Sequence, residues 1–363
     1  MRIVCTVTND LAQDQRMDRI CRSLVAAGHD VTLVGRLLPD SRPLSPRPYA
    51  THRIRCRYHR GKAFYLEYNW RLWRTLRRWT FDAVCSVDLD TLVAGRLLKA
   101  RGRKLVFDAH EWFSETPEVV GRPLVRTLWR AVGRWLVPAT DARYTVAPEL
   151  ARKLAEEYGR PFATVRNLPL RSDMPPVAVC HQSPFVLLYQ GMLNPGRGLE
   201  QLVEALGQLP ECRLLIVGSG PSEGAVRRCV ERTNTGDRVD WAGFVAPERL
   251  PELTRRGWLG VNLLDARSPS YYYSLANKAL DYVQAGLPSL QMDFPEYRHL
   301  ARAHDCYVLV PDLTVAGLAA TIRELMDDPA RYTELCANCR TAAAHLHWEA
   351  EERVLRALWE QLP

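Results

Sequence analysis

Short apolar runs alternate with longer amphipathic ones from one end of the chain to the other, the pattern of parallel strands covered by helices. In the first half, residues 3–7, 31–34, 83–86, 104–107 and 144–146 predict strands. Residues 13–27, 65–78, 89–100, 123–136 and 148–158 carry apolar side chains at helical spacing between them. A polar stretch over 168–183, with Met174-Pro-Pro and no periodicity, reads as a linker. The alternation then restarts with strands expected at 185–189, 214–217, 239–241, 259–263 and 289–292. Two successive doubly wound α/β units follow from this, with ligands expected beyond the carboxyl ends of their strands. The boundaries are drawn at 1–172, a linker over 173–184, a second unit over 185–346, and a closing amphipathic helix over 347–363. Trp348 and Trp359 in that helix are expected to pack.

Composition narrows the class. A chain of 363 residues with 47% hydrophobic and 25% charged residues can bury two ordinary cores. Ten cysteines form no framework and fit reduced thiols. No apolar run reaches the roughly 18 residues that span a bilayer, and the N-terminal run is too short for a signal peptide, so a cytoplasmic protein is expected. The net charge of +8 is unevenly spread: residues 1–172 hold 31 basic and 17 acidic side chains, the remainder 18 and 24. A first half at +14 points to an anionic surface or acceptor. Nucleic acid is not favoured, because no recognition motif accompanies the charge.

The chemistry concentrates in two segments of the second half. Tyr189-Gln-Gly-Met-Leu-Asn-Pro-Gly-Arg-Gly-Leu-Glu200 lies between an apolar strand and an amphipathic run. A strand, a glycine-rich loop and a helix start offer free N–H groups and close backbone approach to an anion. Arg197 adds a cation suited to phosphate oxygens; a solvated loop arginine is the plainer alternative. The second segment is Ser274-Leu-Ala-Asn-Lys-Ala-Leu-Asp-Tyr-Val-Gln-Ala-Gly-Leu-Pro288. Ser274 is expected to cap a helix there. Asp281, two turns in, can accept from sugar hydroxyls, although a surface helix aspartate would look the same.

In this order and at this separation the two segments resemble the donor half of the retaining family 4 glycosyltransferases. The resemblance implies the GT-B fold, two Rossmann-like domains facing a central cleft. It implies a metal-independent hexosyltransferase without a cofactor, using a nucleoside diphosphate sugar of UDP or GDP. The acceptor would be a glycan or lipid-linked, as in cell-surface polysaccharide or glycolipid assembly. The diphosphate would meet Arg197, Gly191 and Gly198, and the ribose Asp281, which replaces the family's glutamate. Amides of Ser274, Leu275 and Ala276, with Asn277, would contact the sugar, since Tyr273 stands where the family has its first glutamate. Met192 replaces the family's other basic residue, and Lys278 is a candidate for the missing charge. Gly218 and Ser219, then Phe244 and Val245, fall on loops the family places near the base.

In the first half, Asp108-Ala-His-Glu111 resembles a segment of one branch of the family. There His110 would touch the transferred sugar or the acceptor hydroxyl, with Glu111 beside it; a structural histidine is the competing reading. Asn9-Asp10 and Asp14-x-Arg16 follow the first strand without the family's glycines; that loop is expected to face the acceptor or, loosely, the phosphates, with Asn9, Asp10 and Asp14 assigned to the acceptor side. Gly218-Ser-Gly-Pro221 lacks the third glycine of a dinucleotide fingerprint, with Glu223 in its place. Cys336, Cys339, His345 and His347 lie inside continuous helical pattern, so zinc is not expected. Residues 69–79 and 126–135 place Trp and Leu at helical spacing among arginines, the composition of an interfacial helix at the inner face of an anionic membrane. Core-facing tryptophans on ordinary domain helices are the simpler account. Nucleotide-sugar epimerisation or hydrolysis, and a non-catalytic GT-B partner subunit, remain as alternatives.

Overall fold

The computed structural model describes every residue except 13, 100, 101, 173, 179 and 363. Positions 13 and 100, the expected ends of two helices, and 173, the expected start of the linker, therefore lie outside the described residues. Contacts divide the chain into two compact units, Met1–Asn167 with Glu351–Pro363, and Leu168–Ala350.

The first unit runs β1 (Arg2–Asp10), α1 (Gln15–Ala26), β2 (Asp30–Leu37), β3 (Ala50–Arg55), α2 (Gly61–Leu76), β4 (Ala83–Val87) and α3 (Asp88–Lys99). It continues with β5 (Lys104–Ala109), α4 (Pro117–Val120), α5 (Pro123–Leu136), β6 (Ala142–Thr145), α6 (Pro148–Tyr158) and β7 (Ala163–Thr164). Among the described residues these strands form a seven-stranded sheet, ordered β3-β2-β1-β4-β5-β6-β7 and parallel throughout. Every residue of β4 is buried, as a central strand covered on both faces requires.

The second unit runs β8 (Phe185–Gln190), α7 (Leu199–Leu206), β9 (Cys212–Val217), α8 (Glu223–Thr233), β10 (Val239–Gly243), α9 (Leu250–Thr254) and β11 (Leu259–Asn262). Then come α10 (Pro269–Tyr272), α11 (Asn277–Gln284), β12 (Ser289–Met292), α12 (Pro295–His304), β13 (Tyr307–Val310), α13 (Val315–Asp327) and α14 (Pro329–Ala343). Its six strands, among the described residues, are ordered β10-β9-β8-β11-β12-β13 and are also parallel. α15 (Trp348–Glu360) closes the chain; both its tryptophans, Trp348 and Trp359, are buried. Within the first unit its Glu351 pairs with Arg166 at 2.7 Å.

Three local expectations change. Val177, inside the expected linker, is buried in a second-unit cluster with Leu188, Leu215 and Tyr282, and its amide donates to Ala285 O. β3, β7 and β13 form where no strand was expected. The tryptophans do not all face the core: Trp70 on α2 is 51% exposed and Trp135 on α5 is 74% exposed. On α5, Leu124 (86% exposed), Leu128 (59%) and Trp135 recur at helical spacing along one outward face. Trp129 turns the other way and packs between Tyr65 and Phe113. No described helix is long and apolar enough to cross a membrane.

Candidate functional site

In the second unit the two motif segments adjoin. β8 ends at Gln190, whose amide side chain donates to Asp281 Oδ2 at 3.3 Å. The chain turns at Gly191, with φ +123°, and a Cβ there would lie 3.3 Å from Lys278 Cε. Gly218 (φ +137°) packs so tightly that its own Cβ would strike the Gly191 carbonyl. Gly198, at φ +61°, precedes α7 and would drive a Cβ to 2.6 Å from Leu263. These glycines are there because backbone meets backbone or a packed side chain, in conformations other residues rarely hold. Tyr271 Oη donates to Pro195 O at 3.4 Å and Asp265 N to Gly196 O at 2.9 Å, tying the loop to the segment before α10.

Two cations stand at this junction. Lys278 is buried with its Nζ 3.7 Å from the Tyr189 ring centroid and, among the described residues, no hydrogen-bond partner. Burial, and then the charge of Arg197, push the Lys278 ammonium well below the usual lysine range, with Asp281 opposing. The Arg197 guanidinium lies 4.5 Å from the Tyr271 ring centroid, and its Nε is buried with no hydrogen-bond partner among the described residues. A buried ammonium held on an aromatic face, hydrogen-bonded to nothing and repelled by a second cation, is unfavourable unless an anion joins it. The arrangement is suited to binding a multiply charged anion beside the N-terminus of α11.

The start of α11 differs from expectation. Ser274 does not cap α11: its hydroxyl donates to Tyr271 O at 2.8 Å, and Ala276 occupies the cap without a side-chain bond. The short α10 intervenes and moves the helix start to Asn277. The amides of Ser274 and Ala276 donate to Tyr271 O and Tyr297 Oη, whereas a sugar contact was expected of them. Leu275 is buried. Met192 is exposed, with its carbonyl accepting from Tyr189 Oη. Ser219 accepts the Leu193 amide, Phe244 is exposed, and Val245 packs on the cluster around Tyr282.

The first unit gathers a polar cluster where β4 and β5 end. Asp108 is fully buried, 3.0 Å from Arg16 Nη2 and 3.1 Å from His110 Nε2. Burial alone would raise its carboxyl, but the charges of Arg16 and His110 outweigh this and hold it at about 2. Burial lowers His110, yet Asp108 prevails and its pKa is raised. The amide of His110 donates to Asp88 Oδ1 at 2.8 Å. Asp88 has φ +53°, which a non-glycine residue holds only when its surroundings fix it. Asp90, buried and accepting from Thr8 Oγ1 at 2.5 Å, is pushed up to about 7 by burial and by Asp88.

Asp88 and Asp90 were not singled out from sequence as site residues. The pattern Val87-Asp-Leu-Asp, acids at the end of an apolar strand, was the available signal. Glu111 is exposed. Asp14 caps α1 through Met17 N at 3.0 Å and Asn9 donates to it, while Asp10 accepts from Ala12 N and lies 3.8 Å from Arg53. These acids hold local structure. Cys339 and Cys336 are buried on α14, with Cys339 Sγ donating to Cys306 O.

Two parallel doubly wound units, the second with a buried lysine beside a glycine-rich turn, describe a known architecture. Residues 13–171 match the glycosyl transferase 4-like domain, and residues 176–346 match the glycosyl transferases group 1 family. The chain belongs to the GT-B glycosyltransferases. A glycogen synthase of Mycobacterium tuberculosis is 24% identical over 362 residues, covering 87% of this chain and 82% of its own. Among solved structures, a sucrose-phosphate synthase from Thermosynechococcus elongatus superposes with TM-score 0.84 at 20% identity, covering 100% of this chain and 99% of the other. HepE of Anabaena, solved with UDP and glucose, superposes with TM-score 0.77 at 14% identity, covering all of both chains. This glycosyltransferase therefore shares its fold with enzymes of saccharide synthesis.

Proposed function

We propose that this glycosyltransferase moves a hexose from a nucleoside diphosphate sugar, of UDP or GDP, to a glycan or lipid-linked acceptor with retention of configuration. The observation that carries the reading is the unpaired, buried Lys278 with Arg197 beside it, at the turn where Gly191 brings backbone close. A diphosphate supplies the anion this pair lacks. As the C1–O bond breaks, negative charge grows on the departing diphosphate, and two fixed cations stabilise it where it develops. They supply charge that a divalent metal would otherwise contribute, which supports metal-independent chemistry. Asp281, held by Gln190, accepts from ribose hydroxyls. His110, oriented by Asp108, contacts the transferred sugar or the acceptor hydroxyl. The family resemblance of Asp108-Ala-His-Glu111 supports that role, and HepE, a relative by fold, supports UDP as one donor nucleotide.

A peripheral contact with an anionic membrane belongs to the same proposal. Leu124, Leu128 and Trp135 face outward on α5 in the half of the chain that carries +14. An apolar ridge among arginines is suited to the boundary between headgroups and acyl chains.

Turnover with UDP- and GDP-hexoses, followed by the anomeric configuration of the product, tests the assignment. Arg197→Ala is expected to lower kcat by about 10²–10³, the scale of losing one preorganised charge-stabilising donor, with little change in Tm. Wild-type turnover in that variant refutes the role of Arg197, and an inverted product refutes retention.

A further inference from the structure

A cavity of about 570 Å³ opens at the free edge of the first sheet, lined by residues of β3 and the second half of α2. Five arginines, Arg53, Arg55, Arg71, Arg74 and Arg78, share its lining with the indoles of Trp70 and Trp79. Glu67 holds Arg71 at 2.7 Å, and Arg53 lies 3.8 Å from Asp10. Among the described residues no carboxylate pairs with Arg55, Arg74 or Arg78. Arg74 instead lies 5.1 Å from the Trp70 ring centroid. Arginines on an edge strand commonly serve to block pairing with another chain. That accounts for Arg53 and Arg55, but not for Arg74 and Arg78, which come from α2 and the turn after it and reach the same cavity.

Three uncompensated guanidiniums around one cavity are suited to phosphate oxygens, which arginine binds in a planar fork. The volume lies within the roughly 300–1,000 Å³ typical of ligand pockets and exceeds what a lone phosphate fills. Exposed apolar side chains adjoin it, Trp70 in its wall and Leu66 one turn earlier on the same outward face of α2. A phosphate with an apolar body attached satisfies both features. We infer that this cavity takes the phosphate of an anionic lipid headgroup, anchoring the first unit to the bilayer surface. The inference rests on the membrane contact proposed above and gives it a specific phosphate site.

Flotation of the full chain with phosphatidylcholine vesicles, with and without phosphatidylglycerol, tests it. Wild-type protein is expected to float with the phosphatidylglycerol vesicles. The triple variant Arg55→Ala, Arg74→Ala, Arg78→Ala is expected to lose partitioning on the order of a hundredfold, since each basic residue near an anionic leaflet is worth roughly fivefold. A control triple variant, Arg152→Ala, Lys153→Ala, Arg160→Ala, removes the same charge from α6 and the turn after it and should lose far less. Equal losses in the two variants, or none in the first, overturn the pocket while leaving the membrane contact standing. Failure of the wild-type protein to float overturns the membrane contact itself, and the pocket with it. Isothermal titration with glycerol phosphate separates the sources: arginine-dependent binding of the soluble ester, with vesicle partitioning unchanged in the first variant, assigns the cavity to a soluble phosphate and overturns the lipid.

Discussion

Lys278 is where local chemistry departs furthest from that of an ordinary residue of its type. Its ammonium is buried, sits on the Tyr189 ring and loses its proton more readily than other lysines, through burial first and Arg197 second. A bound diphosphate favours the charged form and returns the pKa upward. Binding should therefore take up a proton, and affinity should fall as pH rises through the free-state value. Titration across a series of pH values, each in two buffers of different ionisation enthalpy, checks this; Lys278→Met should abolish the uptake. A heat independent of buffer would count against the placement of Lys278 at the phosphates. Asp90 gives a second pH signature. An unfolded aspartate loses its proton near ~3.9, whereas Asp90 in the fold is pushed up to about 7. Between those values the native state binds more protons than the unfolded one, so stability should decline as pH rises across the window. Asp90→Asn, which keeps an acceptor for Thr8, should flatten that decline in urea melts between pH 4.5 and ~7.5. An unchanged slope would show that Asp90 does not titrate in that window.

Among the elements, strands covered on both faces were the most legible, because a continuous apolar run leaves few alternatives. β12 lies where its sequence places it, and β8, β9 and β11 differ only at their ends. β3, Ala-Thr-His-Arg-Ile-Arg, carries charged side chains at the sheet edge and so lacks the apolar signature, although it shapes the arginine cavity. The helix after Tyr-Tyr-Tyr-Ser was visible, but its start was not. Ser274 looks like a cap in sequence, whereas Ser268 caps the short helix that precedes it and the Ser274 hydroxyl donates back to that helix at Tyr271 O. The loops depend on contacts that only the fold creates. Gly218→Ala would push a Cβ into the Gly191 carbonyl, and backbone cannot swing aside as a side chain can. A loss of about 1–3 kcal/mol is expected in urea denaturation, with weakened nucleotide binding beyond what the stability change explains. A neutral outcome would show that the turns of β8 and β9 are looser than their packing indicates.

For the whole molecule, the two motif segments were legible because strand, glycine-rich turn and helix recur at a spacing that few architectures share. What made one of them a charged site was not. The sequence showed Met192 where a basic residue was sought, and it could not show that Lys278 from the second segment is turned toward the Gly191 turn with no partner of its own. Asp88 and Asp90 were hidden for a similar reason: their meaning comes from the neighbouring strand, where Arg16 and His110 already share Asp108. The uneven charge along the chain was plain in composition, but its reach to the outward faces of α2 and α5 depended on which tryptophans the fold left exposed. The proposed activity rests on one physical claim, that Lys278 and Arg197 await a diphosphate. Isothermal titration of the wild-type protein and of Lys278→Met with UDP and GDP tests it most directly. One nucleotide should bind the wild-type protein and lose about 1.5–3 kcal/mol of affinity in the variant, the scale of a hydrogen bond to a charged group. Equal affinity in both proteins, or no binding of either nucleotide to the wild-type protein, would contradict it.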